Sequence, residues 1–201
     1  MRAETGDRLL ALAAQLTRDN AVINRLRAIP GAYDDLDASF SLELSPDAGP
    51  ALSASGTANG TEFALSASGP GLVGTGEGAR SVRLTADNSD AAPLAGQAGF
   101  AVLPLAETGA GHLEFSLEGE GTDDSAISIL ASAGDTALTL DGKGRVSARG
   151  PMTGTYDVEL KSSDAEPLLI LFGQALPQTG MGLAADLSAK AELTGDEIVL
   201  T

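Results

Sequence analysis

His112 is the single histidine of the chain, and there is no cysteine. A zinc site needs several His or Cys donors, and a Ser-His-Asp triad needs a histidine between serine and carboxylate. His112 precedes Leu113 in an alternating segment, which puts it on the wet face of a strand. Asp34-Asp35-Asp37 and Asp123-Asp124 offer oxygen ligands for a hard cation. Neither has the spaced Asp and Gly pattern of a calcium loop, so both read as solvated turn acids. Gly74-Thr75-Gly76-Glu77-Gly78 lacks the Gly-Lys-Ser/Thr that completes a phosphate loop. Carboxylates are plentiful enough for glycoside hydrolysis, yet no segment joins two of them to sugar-stacking aromatics. These residues predict no catalytic centre, no metal site and no cofactor.

Charge narrows the partners. The chain has 201 residues and a formal net charge of −16, from 28 acidic and 12 basic residues. Such a field repels phosphate backbones and disfavours plain docking on an anionic bilayer, so no nucleic-acid partner is expected. It also keeps a sticky β protein in solution. Aromatics are 3% of the residues, Trp is absent, and there are 25 glycines. Apolar content therefore comes from Leu, Ala, Val and Ile, which predicts a thin, extended β structure with many turns. No segment reads as a signal peptide or a spanning helix. If the protein works outside the cytoplasm, its export signal or anchor is expected outside this chain, and Glu197 to Thr201 reads as a strand in progress in a longer protein.

The elements that carry these residues follow from periodicity. Leu9, Leu12, Leu16, Ile23 and Leu26, with Ala13 beside them, make a helical stripe over residues 1–30. Asp19-Asn20 breaks the stripe and suits a cap, and Pro30-Gly31 stops it. From residue 31 the period becomes two. Leu36, Ala38, Phe40, Leu42 and Leu44 alternate with acids and serines. Pro46 to Gly49 is a turn, and Ala51–Thr57 and Glu62–Ser68 form a hairpin around Asn59-Gly60. Strands follow at Val82-Leu84-Ala86, at Leu113-Phe115-Leu117, at 126–131 and 136–140, and at Tyr156-Val158-Leu160. Asp141-Gly142 and Lys143-Gly144 predict a further turn, and Leu183, Ala185 and Leu187 open a late strand. Short alternating strands of this kind favour a sandwich, a barrel or an open groove.

Two segments share their landmarks in order. Val82-Arg83-Leu84, Asp90 to Leu94, Leu103-Pro104 and Thr108 to Gly111 correspond to Val158-Glu159-Leu160, Asp164 to Leu168, Leu176-Pro177 and Thr179 to Gly182. Each unit, roughly 82–121 and 156–201, reads as a strand, a short helix, a Leu-Pro bend, a glycine turn and a strand. Asp90 and Asp164 suit helix caps, since a carboxylate accepts the free N–H groups of the first turn. Pro93 and Pro167 fall in that turn, where the missing N–H does no harm.

The stretch Tyr156 to Thr201, YDVELKSSDAEPLLILFGQALPQTGMGLAADLSAKAELTGDEIVLT, resembles the repeat of AsmA-like, TamB-related bacterial envelope proteins. ALSASGTANGTEFALSASG resembles that family's hairpins. The resemblance implies a mainly β fold, an elongated twisted antiparallel sheet forming an apolar groove, with an N-terminal helix and short helical caps. It implies a non-enzymatic periplasmic scaffold that handles phospholipid acyl chains and is linked to outer-membrane biogenesis. It also implies a parent protein anchored in the inner membrane by a helix outside this chain.

One-parity residues then form the expected lipid-facing surface. They are Leu36, Phe40 and Leu42, then Phe63, Leu65 and Leu84, then Leu113, Phe115 and Leu117. Leu138, Leu140, Val158, Leu160, Leu183 and Leu187 complete it. Such a face needs cover from helices, a second sheet or a ligand. A dry sandwich, as in an adhesin or carbohydrate-binding β module, is the alternative to a lipid groove. An aliphatic lining of this kind is expected to hold tails without reading head groups.

Overall fold

The computed structural model describes residues 35–72, 78–100, 102, 108–120, 124–145, 153–166, 169, 183–194 and 197–201. The helix expected over residues 1–30 and the Leu-Pro bends at 103–104 and 176–177 lie outside these residues. The described chain is mainly strand. In order come β1 (Asp37–Ser45), β2 (Gly49–Ala58), β3 (Thr61–Ser68), β4 (Ala79–Asn88) and β5 (Gly111–Glu120). Then come β6 (Ser125–Ala133), β7 (Thr136–Arg145), β8 (Thr153–Ser162), β9 (Ala185–Thr194) and β10 (Glu197–Leu200). One helix, α1 (Ala91–Gln97), sits between β4 and β5.

The ten strands form a single antiparallel sheet in chain order. Each strand pairs only with its neighbours in sequence, and β1 and β10 are the two edges, so the sheet is open. The register runs without a bulge through every ladder. Turn chemistry fixes that register locally. Asn59 and Gly60 both take positive φ, 48° and 77°, which a two-residue type I′ hairpin demands. At the first hairpin the Ser45 hydroxyl oxygen accepts from the Ala48 N–H at 3.2 Å.

Because side chains alternate across a strand, the bulge-free register sorts them into two faces. One face carries Ser, Thr and almost every charged strand residue. Its charges are arranged in cross-strand groups. Asp141 opposes Asp157, a destabilising like-charge pair, and Lys190 Nζ lies 3.6 Å from Asp157 Oδ1 on the far side. Asp87 opposes Glu62 on one side and His112 on the other, with His112 Nδ1 2.7 Å from Asp87 Oδ1. The lone histidine thus takes a carboxylate partner on the wet face.

The other face holds the core. Leu117, Ile127, Tyr156 and Ala191 are buried against Val82, Phe115, Ile129, Leu140, Val158 and Leu193. Tyr156 is 1% exposed, and its hydroxyl donates to the Thr153 carbonyl at 3.3 Å. Burial raises its phenol above the usual range, and the nearby Asp124 charge adds to this.

Here the structure corrects a sequence expectation. Asp141-Gly142-Lys143-Gly144 is not a turn but the interior of β7. Gly142 and Gly144 face the apolar side and pair with Tyr156 and Gly154. A Cβ on Gly142 would meet the Tyr156 ring, and one on Gly144 would meet the Tyr156 hydroxyl and the Thr153 carbonyl. The glycines make room for an aromatic ring laid across the sheet. Gly144→Ala is therefore expected to destabilise by about 1–3 kcal/mol, as overpacking does. Adding Tyr156→Phe should restore little of it, because the Thr153 carbonyl remains in the way. Urea unfolding of both variants checks this, and full rescue by the phenylalanine would contradict it.

Candidate functional site

Three unbroken rows cross the apolar face. One runs Phe40, Ala54, Leu65, Leu84, Phe115, Ile129, Leu140, Val158, Ala189 from β1 to β9. A second runs Ala38, Gly56, Phe63, Ala86, Leu113, Ala131, Leu138, Leu160, Leu187 over the same strands. The third crosses all the strands: Leu42, Leu52, Ala67, Val82, Leu117, Ile127, Gly142, Tyr156, Ala191, Leu200. The named surface residues all fall in these rows except Leu36 and Leu183. Those two lie just before β1 and β9, with Leu36 half-buried and Leu183 exposed.

Cover over this face is uneven. The middle strands bury Leu117 and Ile127, whereas the edges leave large side chains in water. On β1, Phe40, Leu42 and Leu44 are 44%, 63% and 77% exposed, and on β9 Leu187 is 60% exposed. Contiguous apolar exposure of this kind marks a surface that takes a partner or ligand.

The helix α1 covers one end of the face and bounds a half-open apolar pocket. Ala91 packs on Ala133, and a Cβ on Gly111 would strike Ala91 and Leu94. Gln97 Nε2 donates to the Ala58 carbonyl at 2.8 Å, tying the far end of the helix to the β2–β3 hairpin. Between helix and sheet lies a space of about 330 Å³, lined chiefly by Leu94, Ala95, Phe100, Leu113, Ile129 and Leu138. That volume lies at the low end of small-molecule sites. Phe100, Ile129 and Leu52 are members of this surface that the sequence reading passed over. Parity alone would have found Ile129 and Leu52, whereas Phe100 follows a helix and carries no strand signal.

Asp90 holds the helix in place. Its Oδ1 accepts from the Ala92 N–H at 3.1 Å and from Thr108 Oγ1 at 2.6 Å. The Ala91 N–H donates to the Gly109 carbonyl at 2.8 Å. Asp164 makes the matching set: its Oδ1 accepts from the Glu166 and Leu183 N–H groups, and the Ala165 N–H donates to the Leu183 carbonyl at 2.7 Å. Each carboxylate thus ties the start of a helical turn to the chain entering the next strand. The Leu169 N–H donates to the Ala165 carbonyl at 3.0 Å, one helical bond after Asp164.

Arg80 is the residue that the sequence reading missed most. It stands in phase with Val82 and Leu84 on β4, so it points to the apolar face. It is the only charged residue on that face among the described strand residues. Nη2 donates to Ser125 Oγ at 2.9 Å, while Nε is enclosed and has no hydrogen-bond partner. The signal was available in the alternation of Arg80, Val82 and Leu84.

Of the acids considered as cation ligands, Asp34 and Asp123 lie outside the described residues. Asp124 Oδ1 is 3.6 Å from Arg145 Nη2. Among the described residues no group of three or more His, Cys, Asp or Glu side chains could hold a metal ion. No described helix is long and apolar enough to cross a membrane. No protein family, curated protein or solved structure matches the chain.

The Asp90 network has a pH signature. The Thr108 hydroxyl, and after it the Ala92 and Thr108 backbone, hold the Asp90 carboxyl below its ordinary 3.8, against the opposing effect of burial. A lowered folded-state pKa stabilises above the unfolded value and is lost as pH falls through the folded one. Asp90→Ala should cost about 0.5–2 kcal/mol at neutral pH, the usual range for a cap. The gap to the unaltered chain should narrow as pH drops below 3.8. Thermal unfolding of both chains from pH 7 to pH 3 measures this, and a gap independent of pH would contradict it.

Proposed function

We propose that this chain is a non-enzymatic segment of an AsmA-like periplasmic protein that shelters phospholipid acyl chains on its apolar sheet face. The parent protein is anchored in the inner membrane and serves outer-membrane biogenesis. The observation that carries the reading is the combination of unbroken apolar rows with large exposed side chains at both edges. Nothing in water favours that arrangement. Covering a Leu that is now largely exposed contributes about 1–2 kcal/mol, from the usual 25 cal/mol per Å². Aliphatic tails match an aliphatic lining, because neither side leaves a polar group unpaired. The face then works as a groove, with α1 as a lid over one end. The resemblance of Tyr156 to Thr201 to AsmA-like repeats supports the same reading.

The test uses the exposed edge residues, where substitution spares the fold. Leu42→Asp and Leu187→Asp place a carboxylate where tails must lie, which costs several kcal/mol if it is buried without a partner. Binding of a fluorescent long-chain fatty acid should fall severalfold in each variant, with the unfolding temperature little changed. Glu114→Lys and Glu159→Lys alter the opposite face and should leave binding within about twofold, as surface changes away from a site do. Equal losses in all four variants, or no binding by the unaltered chain, would overturn the proposal.

A further inference from the structure

A guanidinium on an otherwise uncharged face calls for an account. Arg carries five N–H donors and no acceptor, and its charge is costly to bury unless it is paired. Arg80 is half-buried, and among the described residues it has one neutral acceptor, Ser125 Oγ, which is itself fully buried. Nε is shut away without a partner. Among the described residues no carboxylate pairs with Arg80. The other charged residues of the described strands face the opposite side of the sheet, so their carboxylates are turned away from Arg80. The residue opposite it on β5 is Gly119, which adds no side chain beside the guanidinium.

The surroundings narrow the chemistry that suits Arg80. Val82, Leu84 and Leu65 continue the face from Arg80 across β4 and β3, and all are partly exposed. An anion placed at Arg80 therefore has apolar surface immediately beside it. The chemistry that satisfies both is an amphiphile with an oxyanion joined to aliphatic chains. Nε is enclosed and Nη2 already donates to Ser125, so a phosphate would take the remaining N–H donors of the two terminal guanidinium nitrogens, more than one of its oxygens accepting.

We propose that Arg80, held in place by buried Ser125, receives the phosphate of a phospholipid whose acyl chains lie on the face formed by β2 to β4. The assignment rests on the acyl-chain reading above and adds headgroup recognition to it. The strands are long enough for the task. From the level of Arg80 to that of Asn88 a strand rises about 26 Å, at roughly 3.3 Å per residue. The tails of one leaflet span about 15 Å, half of a hydrocarbon core of about 30 Å. The net charge of −16 opposes anions at long range, but at physiological salt that repulsion is screened over about 8 Å. A contact inside the face escapes most of this screening.

The experiment compares two short-chain fluorescent probes with identical acyl chains, a phosphatidic acid and a diacylglycerol, titrated as monomers. The unaltered chain should bind the phosphatidic acid at least tenfold more tightly. Arg80→Gln should erase that preference while leaving diacylglycerol binding within twofold, which also shows that the fold survives. Arg80→Lys should restore part of the preference. Millimolar inorganic phosphate should fail to displace the phosphatidic acid, because it brings no tails. Displacement by phosphate would mark a plain anion site and overturn the lipid assignment. Equal binding of both probes, or equal loss of both in Arg80→Gln, would overturn the headgroup role while the acyl-chain reading stands. Binding of neither probe by the unaltered chain would overturn both.

Discussion

Consecutive residues of a strand point to opposite faces, so a slip of one residue in any hairpin would carry a row of charges onto the apolar side. This sheet has nine such pairings in series, each between chain neighbours. Its faces stay sorted only because no ladder contains a bulge. The two-residue turn at Asn59-Gly60 and the alternation of Leu and Phe with Glu, Asp and Ser enforce the same register from both ends of a strand. Every later property depends on this: the Tyr156 core, the pocket under α1, the exposed edges and the isolation of Arg80.

Alternation made most of the sheet legible in the sequence. Phe40 with Leu42, Leu113 with Phe115 and Leu117, and Val158 with Leu160 each announce a strand and its inward face. Parity within a strand does not tell which strands adjoin, so the chain-order meander required the structure. The failure at Asp141 to Gly144 has a clear cause. Alternating glycines signal a turn locally, but here they accommodate a ring from β8, more than ten residues away. The carboxylates that hold the helical turns were readable because an N-cap is a local device. The Asp90 contact to Thr108 spans a loop and was not readable. Arg80 was overlooked for a different reason: attention to apolar residues hides the one polar residue that shares their phase.

Electrostatics and apolar burial divide the work between the faces. The wet face carries the acidic excess, relieved by Lys190 beside Asp157, while His112 shares a hydrogen bond with Asp87. Those contacts are exposed and screened, so they are worth little individually and serve mainly to offset like-charge neighbours. Among the described strand residues the apolar face is charge-free apart from Arg80. Its centre is closed by its own side chains and its edges are not. An open sheet of this kind can lengthen strand by strand while keeping one continuous apolar surface, which suits a scaffold that guides long aliphatic molecules. That is the sense in which the fold and the proposed activity belong together.

The central claim is that the apolar face is occupied by acyl chains. Native mass spectrometry of the chain, purified from cells without detergent, tests it most directly. The account predicts a population carrying added mass equal to phospholipid, lost when Leu42 and Leu187 are both replaced by Asp. Only the bare chain, under conditions that preserve lipid on a known lipid carrier, would contradict it.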